Sequence, residues 1–512
     1  MTPPPIRFRL PSKVSDRSVV ELLRKGCHLQ AADLVKTNRT YLDTHDRRVL
    51  RGGWTLHRAA DRSGTASLVL CSADDDQPIA EHLGEMSAEW ASDLPGTGPW
   101  EQVASAIGER RLLCHLQVET TTKRFAVLDD EAKTTSRVLL ERHATSTDGG
   151  PIRQVRFLTV APVRGYERDA RQVCKLLADA GFEPQGTSLI SLAGEPAART
   201  AQKTTTETTH AGREAPVAHT VERVLTSLRE EMASNEPGVR RQIDIEFLHD
   251  YRVAARRARS LLKQVRGLFP DRSASQVADE LRWLGTVTGP PRDLDVQLSQ
   301  ADHAADDLHG LHQLLERKRA DAQKALVAAL DSARYEALIQ RWRQLEAAVA
   351  AAPERGGLAD PAGPAADRYL NRAHRRVLRA GKTIDDASPP EDLHDLRKKT
   401  KAFRYLLEMF SPLYPAPALK AAVRELKALQ DNLGEFQDTQ VQAASIRAMA
   451  EEMLLEHAGS GVELMAMGRI ADSLEARQSR ARAEFRTRFE RFASSEVTRR
   501  YRRMFRTSQG TP

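Results

Sequence analysis

Two stretches decide the fold of this chain: HDYRVAARRARSLL at residues 249–262 and HDLRKKTKAFRYLL at residues 394–407. From His249 to His394 is 145 positions, and this offset persists far beyond the two stretches. It pairs Leu281, Leu284, Gly289, Asp293 and Val296 with Leu426, Leu429, Gly434, Asp438 and Val441. A register kept through one helix, a turn and a second helix predicts a duplicated helical unit that folds as a pseudo-twofold bundle.

Within each stretch, basic residues recur at intervals of three, four and three positions. They are His249, Arg252, Arg256 and Arg259 in the first and His394, Arg397, Lys401 and Arg404 in the second. On an α-helix these positions lie within about 80° of one another and run for about 15 Å, so each set forms one basic stripe. Because neighbouring cations on a helix repel each other, we expect an anion to neutralise each stripe.

Two kinds of anion fit this expectation. The carboxylates of Asp293 and Asp438 occupy matching places in the two repeats and are candidates for internal ion pairs. The alternative is a phosphate ligand, because the guanidinium group donates in a fixed fork that suits phosphate oxygens and stays charged. Arg257 and Lys398 adjoin the stripes and are included in the same candidate site. Other nearby basic residues are interpreted as solvated surface: Arg240, Arg241, Lys263, Arg375, Arg376 and Lys399.

A further basic region closes the chain. Arginines crowd residues 477–506, where Phe485, Phe489 and Phe505 interrupt them at helical spacing. This pattern predicts an amphipathic closing helix with an exposed basic face. That face would permit nucleic-acid binding, but only 5% of the residues are aromatic, and stacking platforms for single strands are not evident.

The composition indicates a soluble protein of two to four domains, given 512 residues and no stretch near the roughly 20 apolar residues that span a bilayer. The opening MTPPPIRFRL lacks the apolar run of a signal peptide. The four cysteines, at positions 27, 71, 114 and 174, form no CxxC pair, which favours a reducing cytosol and gives no zinc motif. The net charge of +7 is mild, so any preference for polyanions must come from local clustering.

The chain is predicted to contain two domains joined by a linker. Short β-type runs at residues 67–71, 137–141 and 154–160, together with two helical patterns, predict an α+β domain over residues 1–192. The Thr/Ala-rich stretch 193–216 reads as a flexible linker. Residues 217–506 should be nearly all α-helix, with repeat halves at about 217–350 and 367–506 separated by a Pro/Gly/Ala stretch.

The helical half resembles the CHAD domain, the conserved histidine α-helical domain, across roughly residues 217–506. The resemblance rests on HDYRVAARRARS, GPPRDLDV, HDLRKKTKAFRYLLEMF and LKALQDNLGEFQD. It implies a bundle of long helices with a basic groove that binds inorganic polyphosphate. The stripe residues, with Arg257 and Lys398 beside them, would line that groove. Pro290 and Pro291 depart from the family pattern, and we expect them to alter only the local turn.

The N-terminal domain is similar to the CYTH family, a β-tunnel that binds triphosphate, through YLDTHDRRVLRGGWTLHR at residues 41–58. In that family an N-terminal ExExK strand holds a divalent metal through its glutamates. Here Arg7 takes the lysine position, while Pro3 and Pro5 stand where the glutamates should be. The resemblance therefore implies a degenerate CYTH-like tunnel without a metal site, a pseudoenzyme. Its candidate anion contacts are Arg7, Arg9, Arg58, Arg124 and Arg156.

Together these observations predict a non-enzymatic protein that binds inorganic polyphosphate and takes part in polyphosphate or phosphate metabolism. No cofactor, metal or membrane is expected, and the oligomeric state stays open. The expected location is the cytoplasm, with polyphosphate granules as one place within it. Two alternatives remain. One is a metal-dependent triphosphatase of the CYTH class that uses Glu119 or Glu141, and the other is a nucleic-acid or general polyanion binder.

Overall fold

In the computed structural model the chain divides into two units, residues 1–204 and 205–512, each with its own core. The described residues are 5–60, 66–74, 76–84, 87–146, 153–184, 210–302, 308–351 and 356–506. Pro3, residues 193–209 of the predicted linker and residues 352–355 of the Pro/Gly/Ala stretch lie outside them. Within the described ranges, no helix has the length and apolar character needed to span a membrane.

The described residues of the first unit form an antiparallel sheet of eight strands in the order β1-β8-β7-β6-β2-β3-β4-β5. The strands are β1 (Ile6–Arg9), β2 (His28–Asp43), β3 (Trp54–Ala60), β4 (Ala66–Ser72), β5 (Pro78–Leu83), β6 (Leu113–Leu128), β7 (Thr134–Ser146) and β8 (Arg153–Pro162). All three predicted β-type runs lie within β4, β7 and β8. The α+β prediction for this part of the chain is therefore confirmed.

The helices described beside the sheet are α1 (Asp16–Gly26), α2 (Arg48–Arg51), α3 (Pro99–Ile107) and α4 (Glu167–Asp179). Alternation along β7 separates the two faces of the sheet. Val138 and Leu140 join a buried core with residues of α1 and α4. Glu141 and His143 alternate with them and are also buried, on the opposite face. That opposite face is consequently a polar interior.

The sheet curls until its two ends approach each other. Arg7 on β1, at one edge, lies 3.3 Å from a carboxylate oxygen of Asp76, in the turn between β4 and β5 at the other edge. The Arg7 guanidinium also lies 5.2 Å from the ring centroid of Phe157, on β8. Arg7 thus faces the polar interior and links strands that are distant in the sheet order.

The second unit is helical, as the sequence predicted. Its described helices are α5 (His210–Glu214), α6 (Val217–Arg241), α7 (Ile245–Gln264), α8 (Ser273–Asp302), α9 (His309–Leu330), α10 (Ala333–Ala351), α11 (Ala362–Lys382), α12 (Pro390–Met409), α13 (Ala416–Leu455), α14 (Gly461–Ala493) and α15 (Ser495–Arg506). The side chains of α14 and α15 include Phe485, Phe489 and Phe505, all buried.

The duplication seen in the sequence is present in the fold. Helix α12 begins and ends 145 positions after α7, and α11 begins 145 positions after α6. The two halves of the helical repeat contact each other at equivalent residues. The Val217 amide donates to the Asp360 carbonyl, and the Ala362 amide donates to the Ala215 carbonyl, both at 2.9 Å. This reciprocal junction, where Pro216 bridges Pro361, is the signature of a pseudo-twofold axis.

The double proline does not form a turn, which corrects the sequence expectation. Pro290 and Pro291 lie inside α8. A residue before proline is normally pushed out of the helical region, because its Cβ and amide meet the proline ring. Gly289 precedes Pro290 and has no Cβ, which relieves this clash. The helix therefore continues past the prolines and carries Asp293 and Asp295 onward.

Candidate anion site on helices α7 and α12

The two basic stripes lie on α7 and α12, which contact each other in the centre of the repeat. Each helix buries its leucines on the other side: Leu248, Leu261 and Leu262 on α7, and Leu393, Leu406 and Leu407 on α12. This burial fixes the rotation of both helices and directs the stripes away from the core. Arg257 on α7 and Glu408 on α12 form an ion pair of 3.3 Å between the two helices.

Apart from Arg257, which pairs with Glu408 of α12, the α7 half of the site holds guanidinium groups without carboxylate partners among the described residues. Arg252 is half-buried and donates to the Thr288 hydroxyl at 2.9 Å and to the Gly285 carbonyl at 3.3 Å, both on α8. Across the described part of the chain, no acidic side chain forms an ion pair with Arg252, Arg256 or Arg259. A half-buried cation that meets only neutral oxygens is costly to hold in this way. An external anion would relieve that cost.

The pKa values on α7 reflect this crowding. Burial, together with Arg256 and Arg292, lowers the pKa of Arg252, and nearby Asp293 only partly opposes the effect. Burial and the neighbouring cations Arg282 and Arg256 lower the pKa of Arg259 in the same direction. Each shift means that the surroundings favour loss of the positive charge. Both arginines remain charged, because guanidinium does not deprotonate in proteins.

The α12 half differs because its own side chains already neutralise it. Arg397 donates to both carboxylate oxygens of Asp438, at 2.9 and 3.2 Å. Arg404 donates to Glu408 at 2.8 Å, and His394 Nδ1 lies 2.6 Å from the side-chain oxygen of Gln437. The three stripe residues thus have polar partners on α12 or α13.

Lys401 is the exception in the α12 half. Burial, reinforced by the positive charges of Arg397, Arg256 and Arg404, lowers its pKa to about 8, while Asp438 acts in the opposite direction. The influence of Arg256, which lies on α7, shows that the two stripes share one electrostatic field. Lys398 points elsewhere: it is exposed and pairs with Asp395 on its own helix at 3.1 Å.

His249 also lies between opposing charges. Burial lowers its pKa, as do Arg292 and Arg256, whereas Glu246 and Asp250 raise it. The net direction is downward, so this imidazole loses its proton at a lower pH than an ordinary histidine. A phosphate ligand placed beside it would shift the pKa back upward.

Glycines leave space beside the guanidinium groups. A Cβ built at Gly285 would lie 3.7 Å from a terminal nitrogen of Arg259, and one at Gly289 would lie 3.5 Å from a terminal nitrogen of Arg252. In the second repeat, a Cβ at Gly434 would lie 3.8 Å from Arg397. The helices that face the stripes therefore carry no side chain at three points where an anion could approach.

The structure answers the question of internal neutralisation differently for the two repeats. Asp438 pairs with Arg397, as expected if carboxylates of the protein neutralise the stripes. Asp293 is the counterpart of Asp438 in the first repeat, but Arg252 donates its hydrogen bond to the Thr288 hydroxyl rather than to Asp293. Glu408 was missed in the sequence because its counterpart is Lys263, of opposite charge, so the repeat comparison gives no match there. A search for equivalent positions of opposite charge in the two repeats would have identified Glu408.

A family model decides the identity of this helical region. The model of the CHAD domain matches residues 223–447. This part of the chain is a CHAD domain. The match includes both stripe helices, their partner α8 and most of their partner α13, and it confirms the resemblance to the CHAD domain.

Known proteins similar to this chain cover parts of it. Two uncharacterized proteins of Mycobacterium tuberculosis, from strains CDC 1551 and H37Rv, are each 28% identical over 236 residues, and the chain spans only 44% of their length. The CHAD domain of the plant Ricinus communis is 26% identical with a TM-score of 0.46, covering 54% of this chain and 93% of its own. A proposed adenylyl cyclase from Hippeastrum, with a dominant triphosphatase activity, is 16% identical with a TM-score of 0.26. That match covers 37% of this chain and 93% of the Hippeastrum chain.

Several arginines of α14, outside the CHAD stripes, form contacts within the fold. Arg477 pairs with Glu435 at 2.8 Å and Arg491 with Glu425 at 3.1 Å, so α14 is joined to α13. Arg482 donates to the carbonyls of Asp385 and Ser388 at 2.7 and 2.6 Å. Because their phenylalanine neighbours are buried, these arginines belong to an amphipathic closing region rather than to the stripes.

The polar interior of the first unit has its own titratable groups. His57 and His143 are buried, and burial together with Arg39 lowers the pKa of each to about 3. His143 Nδ1 lies 2.9 Å from the Thr120 hydroxyl. Both imidazoles are therefore neutral at ordinary pH, and within the described residues His57 Nδ1 and His143 Nε2 have no hydrogen-bond partner.

Most of the predicted anion contacts of this unit do not meet in the interior. Arg7 faces it, but Arg156 is on the opposite face, where it donates to Asp16 at 3.1 Å and to the Pro11 carbonyl at 2.7 Å. Arg58 is exposed and donates to the Ser87 carbonyl at 3.3 Å. Arg9 and Arg124 are exposed as well.

The two glutamates proposed for a triphosphatase are also apart. Glu141 faces the interior and accepts from the Thr159 hydroxyl at 2.8 Å. In the register of β6 and β7, Glu119 lies opposite Ala144, whereas Glu141 lies opposite Thr122. Glu119 and Thr122 are three positions apart, and side chains alternate between the faces of a strand, so Glu119 and Glu141 lie on opposite faces of the sheet. The Glu119 side chain is exposed beside Lys36, at 3.9 Å. These two carboxylates therefore cannot act on one ion or one substrate from this arrangement.

Proposed function

We propose that this protein binds inorganic polyphosphate through the stripes of its CHAD domain, without catalysis, as part of polyphosphate or phosphate metabolism. The observation that carries the proposal is the α7 half of the site, where Arg252, Arg256 and Arg259 share one face without a carboxylate partner among the described residues. The CHAD match supports a polyphosphate-related function in general.

The chemistry of the stripes suits a linear chain of phosphates. Guanidinium forks bind phosphate oxygens in pairs, and the ligand's repeating charges match cations spaced along a helix. Each stripe runs for about 15 Å, so the ligand would contact several residues at once. Binding of this kind releases counterions and weakens as salt increases. We place the protein in the cytoplasm, on polyphosphate granules where this ligand is concentrated.

A titration of the full chain tests the proposal. Long-chain polyphosphate is added at two salt concentrations, with triphosphate and DNA as competitors at matched phosphate concentration. We expect salt-sensitive binding that neither competitor displaces. Equal displacement by DNA would replace the proposal with a general polyanion surface, and absence of binding would reject it.

Charge removal locates the binding surface. The double variant Arg252→Ala with Arg397→Ala should weaken polyphosphate binding by about tenfold or more and reduce its salt dependence. A matched double variant, Arg17→Ala with Arg317→Ala, removes the same charge from exposed pairs with Glu21 and Glu456. The control should bind nearly as wild type. Equal loss in both variants would show that only the net charge matters.

A further inference from the structure

The two halves of the CHAD site are unequal, although the sequence repeat would make them equivalent. Arg252 and Arg397 correspond in the repeat, yet Arg252 meets a hydroxyl and a carbonyl whereas Arg397 meets a carboxylate. Arg259 and Arg404 correspond in the same way. Arg404 pairs with Glu408, and Arg259 forms no ion pair in the described structure.

The inequality has an identifiable cause in the sequence. Glu408 stands where the first repeat has Lys263, and Gln437 stands where it has Arg292. Each exchange removes positive charge from the surroundings of the α12 stripe. Glu408 accepts from Arg404 at 2.8 Å and lies 3.3 Å from Arg257 of α7, so one carboxylate neutralises cations of both helices.

We propose that the α7 half is the standing anion site of the CHAD domain, and that the α12 half is a latent site which Asp438 and Glu408 hold neutralised until a bound chain displaces them. This inference rests on the proposed function and specifies how the ligand engages the site. A short polyanion occupies the α7 half alone. A long chain anchored on α7 reaches α12 at high effective concentration, and its phosphates then replace the two carboxylates.

The physical argument is one of competition. An anion that approaches Arg397 must first displace Asp438, which accepts two hydrogen bonds from one terminal nitrogen of Arg397. A hydrogen bond between two charged groups is stronger than one to a neutral oxygen. An anion that approaches Arg252 exchanges only contacts with neutral oxygens. The lowered pKa values of Arg252 and Arg259 agree with this difference, because each reports a cation that lacks a full counter-charge.

The test uses equivalent positions as matched variants of the full chain. Binding of triphosphate and of long-chain polyphosphate is measured by titration calorimetry for Arg252→Ala and for Arg397→Ala. We expect Arg252→Ala to weaken triphosphate binding by about tenfold or more and Arg397→Ala by less than about threefold. Both variants should weaken binding of the long chain. Equal effects on triphosphate would overturn the inference.

A second variant tests the resident carboxylates directly. Glu408→Gln with Asp438→Asn, added to Arg252→Ala, should restore triphosphate binding by freeing the α12 half. Glu456→Gln, which removes a carboxylate paired with Arg317 at the end of α13, is the control and should restore nothing. Failure of the double substitution to restore binding in a variant that keeps the wild-type circular dichroism spectrum would refute the latent site. If the double variant unfolds, Glu408→Gln alone must give partial restoration.

These results separate the two proposals. If wild type does not bind long-chain polyphosphate, the proposed function fails. If wild type binds it but Arg252→Ala and Arg397→Ala affect triphosphate equally, the function stands and the unequal halves are rejected.

Discussion

At the scale of single residues, the site depends on how each cation is surrounded. Arg252 and Arg397 have the same identity and the same place in the repeat, but Arg252 donates to a hydroxyl and a carbonyl, whereas Arg397 donates to a carboxylate. A guanidinium already bound to a carboxylate contributes little to an external anion, because one strong contact must be exchanged for another. Residue type alone therefore does not define a member of the site.

If the stripes bind polyphosphate as proposed, we expect Lys401 to make that binding sensitive to pH. Its pKa of about 8 leaves it charged below that pH and neutral above it. Affinity should therefore fall by about three- to tenfold between pH 7 and pH 9, since one contacting charge is lost. The charged groups that act on it are Arg397, Arg256, Arg404 and Asp438.

The measurement is a series of titrations at constant salt, with Lys401→Arg as the control. Arginine keeps its charge at pH 9, so the variant should show a flat profile with affinity near the wild-type value at pH 7. A wild-type profile that stays flat would contradict the position of Lys401 in the site. A fall that persists in Lys401→Arg would assign the effect to another group.

At the scale of helices, α8 contributes the space above the α7 stripe. Gly285→Ala places a methyl group in contact with Arg259, 3.7 Å from its terminal nitrogen. Alanine favours the helix interior over glycine, so stability should rise by about 0.5 to 1 kcal/mol. Anion affinity should fall by about three- to tenfold, because the methyl group occupies the approach to the guanidinium.

Gly468→Ala is the matched control on α14, where a Cβ would have no neighbour within 4 Å. It should show the same gain in thermal stability with unchanged affinity. The two readouts are the midpoint of thermal unfolding and the dissociation constant for triphosphate. An unchanged affinity in Gly285→Ala would mean that the ligand does not approach from α8.

The sequence predicted the positions of the repeat helices better than it predicted their course and their side-chain contacts. The 145-residue offset predicted α7, α8, α12 and α13 because equivalent residues must satisfy the same packing. The course of α8 through Pro290 and Pro291 was not predicted, since proline normally interrupts a helix and the release provided by Gly289 depends on local geometry. The partners of Arg252 and Arg404 were not predicted either, because they depend on how individual side chains are placed. The pairing of Asp438 with Arg397 was one of the alternatives that the sequence left open.

At the scale of the whole molecule, we expect the proposed binding function to belong to one of two units. Residues 205–512 contain both stripes and the helices that hold them, and residues 1–204 have a core of their own. We expect the fragment 205–512 to bind long-chain polyphosphate within about threefold of the full chain. The fragment 1–204 should not bind it, because its interior cations are few and Arg7 is paired with Asp76.

The same fragments test the alternative of an enzyme. With triphosphate and Mg²⁺ or Mn²⁺, phosphate release by residues 1–204 should stay at background, since Glu119 and Glu141 lie on opposite faces of the sheet. Release above background that Glu141→Gln abolishes would establish a triphosphatase in this unit. Each fragment must first show a cooperative unfolding transition, so that loss of function is not loss of fold.

The junction at Pro216 and Pro361 has a consequence for how the halves diverge. Its two hydrogen bonds are interchanged by a half-turn, which is the arrangement of an isologous contact between identical subunits. A homodimer built on such a contact must carry the same side chain on both sides, so every favourable or unfavourable charge appears twice. Joining the two copies in one polypeptide removes that restriction. Lysine at position 263 and glutamate at position 408 are a pair of choices that a covalently linked duplicate can make and a homodimer cannot.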